Sequence, residues 1–439
     1  MSSWWCEQAW LGQAPVARVR VEAAAGVITA VHPGVDPLPG DTRLAGLVLP
    51  GFANAHSHAF HRALRGRTHD EGGTFWTWRD RMYAVAQRLD PDRYLALARA
   101  TYAEMALAGV TCVGEFHYLH HGPGGTPYDD PNAMAEALRQ AARDAGIRLT
   151  LLDACYLAGG LTAEGHTRPS VAQQRFSDGS SAAWQRRVER LTPDDGMRVG
   201  AAIHSVRAVP RLELVDVASA MTDAPLHAHL SEQWAENEAT LAFYGMTPTE
   251  LLAGADALGP RTTVVHATVG AHLELLGSTG TTVCFCPTTE RDLADGIGPA
   301  RLLADHGSPL CLGSDQNAVI DLLEEARALE MHERLHFLER GRFAPAELVD
   351  ALTVNGHAAL GWPEAGRIQV GAPADLVAVR LDSVRTAGVV AAQAVYAATA
   401  SDVTTVVVGG RLVVEDGQHV LGDVAKLLRD AVDPLWENA

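Results

Sequence analysis

The stretch LPGFANAHSHAFHRALRGRTH, residues 49–69, places His56, His58, His61 and His69 within fourteen positions, directly after an apolar run that ends in Pro50-Gly51. Histidine is the usual neutral metal ligand near pH 7, but four in a row also suit a polar loop. His56 and His58 are two residues apart. On an extended strand that spacing puts both rings on one face, where they can grip one ion. Taken alone, H-x-H is a weak signal, so its weight depends on what the rest of the chain supplies.

From residue 50 to about 360, short apolar or β-branched runs alternate with amphipathic stretches of helical period, the pattern of repeated βα units. The run containing the opening histidines is the first of eight. The others lie at 109–118, 147–156, 197–209, 224–232, 261–269, 281–290 and 308–317. Eight such units predict an α/β chain with a (β/α)8 barrel over residues 49–364. Residues 1–48 and 365–439 read differently. They are rich in Val, with turns at VHPG, VGAPAD and VVGGRLVVEDG, and predict a small β-sandwich made from both chain ends. The Gly-rich HHGPGGTPYDDP segment reads as a loop over one barrel mouth.

Barrel chemistry gathers where strands end and βα loops begin. His56, His58, Glu115, Tyr118, His204, Arg207, His229, Glu232, His266 and Asp315 all fall at predicted strand ends. The fifth run, LHAHLSE, offers His227 and His229 on one face. His229 is nearer the strand end and precedes Glu232 by three, so a ligand and a carboxylate can share one cavity. His227, one layer deeper, reads as a packed histidine. Joined to a late Gly-Ser-Asp at 313–315, the H-x-H pair becomes a strong indication of a metal site.

Composition narrows the class. With 47% apolar and 20% charged residues the chain reads as globular. A formal charge of −18 repels phosphate backbones and anionic membranes, so neither nucleic acid nor membrane is an expected partner. The N-terminal segment lacks the pattern of a secretory signal, and no window approaches eighteen consecutive apolar residues, which leads to an expected cytoplasmic location. The six cysteines are scattered, five of them within strand-like runs, and read as buried free thiols.

At this point the chain resembles the amidohydrolase superfamily over essentially its whole length. It has H-x-H after strand one, H-x-x-E after strand five, a histidine ending strand six and an aspartate ending strand eight. GRIQVGAPADLVAV, from Gly366, resembles that superfamily's return to its terminal sandwich. Within the superfamily, NAHSHAFHRAL, FWTWRDRMY, EFHYLHH, HSVRAV, VHAT and CPTTE resemble the N-formimino-L-glutamate deiminases. The resemblance implies one Zn2+ per chain held by His56, His58, His229 and Asp315. Some relatives bridge two metals with a carboxylated barrel lysine. The single lysine here, Lys426, lies outside the predicted barrel and excludes that arrangement. Glu115 reads as a supporting or structural residue more readily than as the ligand of a second metal.

The resemblance also implies hydrolytic removal of ammonia from a formimino group, yielding N-formyl-L-glutamate, a step of histidine degradation. Asp315 would take the proton of the attacking water, Glu232 would shuttle protons to the substrate nitrogen, and His266 would orient or stabilise the tetrahedral intermediate. The substrate is a small dianion, and fork-shaped donors suit its carboxylates. Arg79, Tyr118, His204 and Arg207 match the family's substrate-binding motifs, with Arg81 close enough to Arg79 to be confused with it. Trp76 and Trp78 read as packing for that segment. The departure is His61, where many relatives carry a substrate-contacting glutamine. His61 is therefore expected on the substrate side, and His69 on the ordinary surface. The competing readings are an amidohydrolase deaminase acting on a nucleobase or another amidine, and a non-catalytic relative, although the latter tend to lose metal ligands. A homodimer is expected only by analogy with the architecture.

Overall fold

The computed structural model describes residues 2–69 and 75–437. The apolar run that opens the barrel is in fact two strands belonging to two different sheets. Thr42–Pro50 sits in the terminal sheet, and Phe52–Ser57 begins the barrel. Gly51 is the hinge between them. A Cβ there would lie 2.3 Å from the Thr111 hydroxyl oxygen and 2.8 Å from the Asp375 Cβ, so the chain changes sheet where only glycine fits.

Eight parallel strands follow in sequential order: Phe52–Ser57, Val110–His117, Arg148–Cys155, Met197–Ile203, Leu226–Leu230, Thr262–His266, Thr282–Phe285 and Leu310–Leu312. The first and last meet through a parallel bridge between Ser57 and Asp315. There the Asp315 N–H donates to the His56 carbonyl and the His58 N–H donates to the Asp315 carbonyl, both at 3.0 Å. Barrel closure thus places two histidines and one aspartate side by side. Helices such as Pro91–Leu107, capped by the Asp90 side chain, and Ala133–Ala145, stopped by left-handed Gly146, cover the outside. Inside, Ala55, Val265, Cys284, Cys286, Cys311 and Ala359 form a buried apolar cluster. All six cysteines are free and buried, as the apolar runs around them imply.

The two chain ends share one mixed eight-stranded sheet. Its seam is the antiparallel pairing of Leu376–Val379 with Thr42–Pro50, and Trp4, Cys6, Val21, Ile28, Val48 and Leu376 pack in its core. No helix among the described residues is long and apolar enough to cross a membrane.

Two sequence expectations need correction. The run 197–209 is strand only to Ile203, after which residues 204–209 turn, with the Ala208 and Val209 N–H groups donating to the Ser205 carbonyl. The apolar Val206, Ala208 and Val209 mimic a continued strand because the turn itself is buried. The Gly-rich segment 121–131 is a loop, but none of its residues lines the cavity described below. His120 and His121 instead donate their N–H groups to the Arg175 carbonyl, and the Arg175 Nε–H donates back to the His121 carbonyl, tying the segment to the strap that carries Phe176.

Candidate active site

His56 and His58 end the first barrel strand, and His229 lies near the end of the fifth. The Nε2 atoms of His56 and His229 are 3.1 Å apart, and Asp315 Oδ1 is 3.4 Å from both His56 Nε2 and His58 Nε2. Ligands on a tetrahedral zinc with bonds of about 2.0–2.1 Å are separated by roughly 3.3 Å, so these spacings suit one small divalent ion. The tautomers suit it as well. His58 Nδ1–H donates to the Phe116 carbonyl at 2.9 Å and His229 Nδ1–H to the His204 carbonyl at 2.8 Å, which leaves both Nε2 lone pairs bare and aimed at the common point. Burial, and then crowding by neighbouring imidazoles, hold His58 and His229 well below the usual histidine range, so neither competes for the position with a proton. Burial alone would raise the Asp315 carboxyl, but His56, His266 and His58 outweigh it and keep the group ionised.

His266 is held in a left-handed conformation, φ +77°, at the end of the sixth strand. Its Nε2 faces Asp315 at 3.8 Å and Glu232 at 3.9 Å, and its Nδ1 reaches Glu290 at 3.4 Å. Burial pulls its pKa down, but the Glu290 hydrogen bond and the charges of Glu232 and Asp315 prevail and push it up to about 10. The left-handed backbone and the three carboxylates fix the orientation of the ring beside the ligand cluster.

Above the cluster opens a cavity of about 230 Å3. His61, Arg79, Tyr118, His204 and Arg207 all line it, together with His58, His229, Glu232, His266 and Asp315. Arg79 and Arg81 separate clearly: Arg79 lines the cavity and lies over the Tyr83 ring, whereas Arg81 donates to the Arg67 carbonyl. Trp78 is buried in the wall, while the Trp76 side chain lies outside the described residues. His61 Nε2 is 2.8 Å from the Tyr118 hydroxyl. His227 is packed below, against the Ala359 carbonyl at 3.0 Å, and exposed His69 pairs with Asp292 at 2.8 Å. Glu115 accepts the Ala59 N–H at 2.7 Å, which braces the backbone just after His58, and burial pushes its carboxyl up to about 8.

The sequence reading did not assign Glu290, Glu236, Tyr83 or Tyr156. Glu290 stands in the CPTTE motif, and Tyr156 follows the third strand, where the strand-end rule applies to it as to Tyr118. Tyr83 closes the FWTWRDRMY motif, whereas Glu236 lies inside a helix and carries no such signal.

A model of the Amidohydrolase family matches residues 47–413. The chain belongs to the amidohydrolase family. It is an enzyme of the hydrolase class acting on C–N bonds other than peptide bonds. This amidohydrolase is 35% identical to the formimidoylglutamate deiminase of Pseudomonas aeruginosa, over 95% of this chain and 96% of that one. It is 29% identical to a 5-methylthioadenosine/S-adenosylhomocysteine deaminase of Natronomonas pharaonis, over 94% and 92%. An amidohydrolase crystal structure from Brucella melitensis superposes with a TM-score of 0.92 at 34% identity, covering 99% of this chain and 100% of that one.

Proposed function

We propose that this amidohydrolase hydrolyses N-formimino-L-glutamate to N-formyl-L-glutamate and ammonia, with one Zn2+ held by His56, His58, His229 and Asp315. The observation that carries this reading is the division of the cavity. A convergent imidazole and carboxylate cluster lies at its base, and Arg79, Arg207, Tyr118 and His204 line it alongside, as a substrate with two carboxylates requires. The identity to the Pseudomonas aeruginosa deiminase supports the same substrate.

His56, His58, His229 and Asp315 would hold the zinc ion, which would lower the pKa of a water there toward neutrality. The protein's own groups do the rest. Asp315 accepts the proton of the attacking water as oxygen bonds to the formimino carbon. His266, anchored by Glu290, donates to the oxygen that becomes the formyl carbonyl. The proton that Asp315 has taken passes to the imino nitrogen, Glu232 carries the hydroxyl proton of the resulting tetrahedral adduct to the same nitrogen, the C–N bond breaks as the C=O bond forms, and ammonia leaves. The deciding experiment measures ammonia release from N-formimino-L-glutamate by zinc-replete enzyme, alongside guanine, adenosine and cytosine. Turnover of a base with none of the amidine overturns the proposal.

A further inference from the structure

Arg207 does not stand free in the cavity. Its Nη2 lies 3.3 Å from Glu232 Oε2, and its Nε lies 3.5 Å from Glu236 Oε2. The two carboxylates differ in kind. Glu232 faces His266 and the ligand cluster. Glu236, in the first turn of the helix Trp234–Tyr244, is 1% exposed, and neither of its oxygens meets a hydrogen-bond donor in good geometry. Among the described residues its ion pair is with Arg207. A carboxylate shut away from water is unfavourable unless it is paired, and truncating either partner of such a pair strands the other charge. Burial pushes the Glu236 carboxyl up and the charge of Arg207 pulls it back, so its ionised form depends on Arg207 as counter-ion. A guanidinium offers five N–H donors in a planar fork. The Nε edge faces Glu236 across a 3.5 Å ion pair and Nη2 donates to Glu232, which leaves Nη1 for a ligand where Arg207 lines the cavity.

We propose that Glu236 is a positioning residue: its charge faces the Nε edge of Arg207 and balances the pull of Glu232, which the guanidinium already meets through Nη2, so that Arg207 stays placed for a substrate carboxylate. This rests on the reading of the substrate as a dicarboxylate amidine. Without Glu236, the remaining carboxylate beside Arg207 is Glu232. The guanidinium then moves toward the proton-transfer group and away from the ligand. Glu236 thus serves carboxylate recognition and keeps Glu232 available, without touching the substrate.

The test compares kcat/KM for N-formimino-L-glutamate with that for its two analogues, each lacking one carboxylate, in wild type, Glu236→Gln, Arg207→Ala and the double variant. The expected result is that Glu236→Gln lowers the preference for the dicarboxylate over one analogue about tenfold or more, in the same sense as Arg207→Ala. The double variant is expected to show no loss of preference beyond that of Arg207→Ala, because the two residues act as one unit. An equal loss on all three substrates, or losses that multiply in the double variant, overturns the proposal. If Glu236→Gln does not fold, Glu236→Asp keeps the charge with a shorter reach and is read by the same ratio. If wild-type enzyme leaves N-formimino-L-glutamate unhydrolysed, the substrate reading falls, and the positioning role is then decided by calorimetric binding of glutarate to zinc-loaded protein. Binding about tenfold weaker in Glu236→Gln sustains it, and equal or absent binding in wild type and variant overturns it.

Discussion

His61 Nε2 lies 2.8 Å from the Tyr118 hydroxyl, and both side chains are buried at the cavity wall. Burial drives the His61 pKa down to about 3, so the ring is neutral and only one of its nitrogens carries a proton. Its Nδ1 is buried and makes no hydrogen bond. A bare lone pair is the cheaper atom to leave there, which assigns the proton to Nε2 and makes His61 the donor to the Tyr118 oxygen. The Tyr118 hydroxyl hydrogen then turns to Met82 Sδ at 3.9 Å, a weak acceptor on the cavity wall that a substrate oxygen can displace. His61→Gln preserves a donor and is expected to hold KM within about threefold. His61→Phe removes it and is expected to raise KM about tenfold, the worth of roughly one hydrogen bond to a charged group. Equal KM values for the two variants would show that His61 does not aim Tyr118.

Much of this arrangement is readable from spacing alone, because a barrel puts strand ends together whatever their separation in sequence. His56, His229 and Asp315 are far apart in the chain, yet counting βα units is enough to bring them to one rim. The residues legible from spacing are those that end strands, whereas Arg79 and His61, which lie on helical segments, were legible only through the motifs around them. Glu236 sits on a helix, where a carboxylate is unremarkable until the helix is docked. The split of the first apolar run was also hidden. Val48 and Ala53 are equally apolar, and only the contact of Gly51 with Thr111 and Asp375 reveals that the chain changes sheet between them.

The ligand cluster makes a thermodynamic prediction that does not depend on turnover. A metal that binds the folded chain alone stabilises it by about 2.7 kcal/mol when its free concentration is a hundredfold above Kd. Chelator-treated protein is expected to lose activity and to melt at a lower temperature, with both recovered on adding Zn2+. His229→Asn is expected to abolish the zinc-dependent shift in Tm, since it removes one of three convergent nitrogens. A Tm shift that survives in this variant would place the ion elsewhere.

Away from the cavity, Arg187 bridges two buried carboxylates. It donates to Asp153 at 2.8 Å through both terminal nitrogens and to Asp178 at 2.9–3.2 Å, while His121 Nε2 lies 3.0 Å from Asp178. Burial would raise both carboxyls. For Asp153 the charge of Arg187 prevails, and for Asp178 the hydrogen bonds from His121 and Arg187 prevail, so both titrate below the ordinary range. A depressed folded pKa contributes stability that is present above the unfolded value near 3.9 and lost as pH falls below it. Wild-type Tm is therefore expected to fall as pH drops from about 4. Arg187→Met leaves Asp153 with the Trp184 indole N–H and Asp178 with His121 but removes the cation they share, and is expected to cost about 3 kcal/mol at pH 7. Its stability is expected to rise on mild acidification, because protonation relieves the carboxyls left without that cation. Parallel pH profiles for the two proteins, measured by thermal unfolding from pH 3 to 7, would refute this account.

The hinge at Gly51 makes the most local prediction. A methyl group there meets Thr111 Oγ1 at 2.3 Å and Thr111 Cγ2 at 2.6 Å on one side, and Asp375 Cβ at 2.8 Å on the other. Both neighbours are buried, and Asp375 is held by Arg148 and by the Gly409 N–H, so neither side can yield freely. Overpacking of this kind costs typically 1–3 kcal/mol. Gly51→Ala is expected to lie in about that range, and the companion change Thr111→Ser, which removes the Cγ2 methyl, is expected to return part of the loss. His56 and His58 follow the hinge by only a few residues, so displacement of the first barrel strand would also weaken zinc binding. If Gly51→Ala melts with wild type and binds zinc equally well, the tight crossing between sheets is not what fixes the start of the barrel.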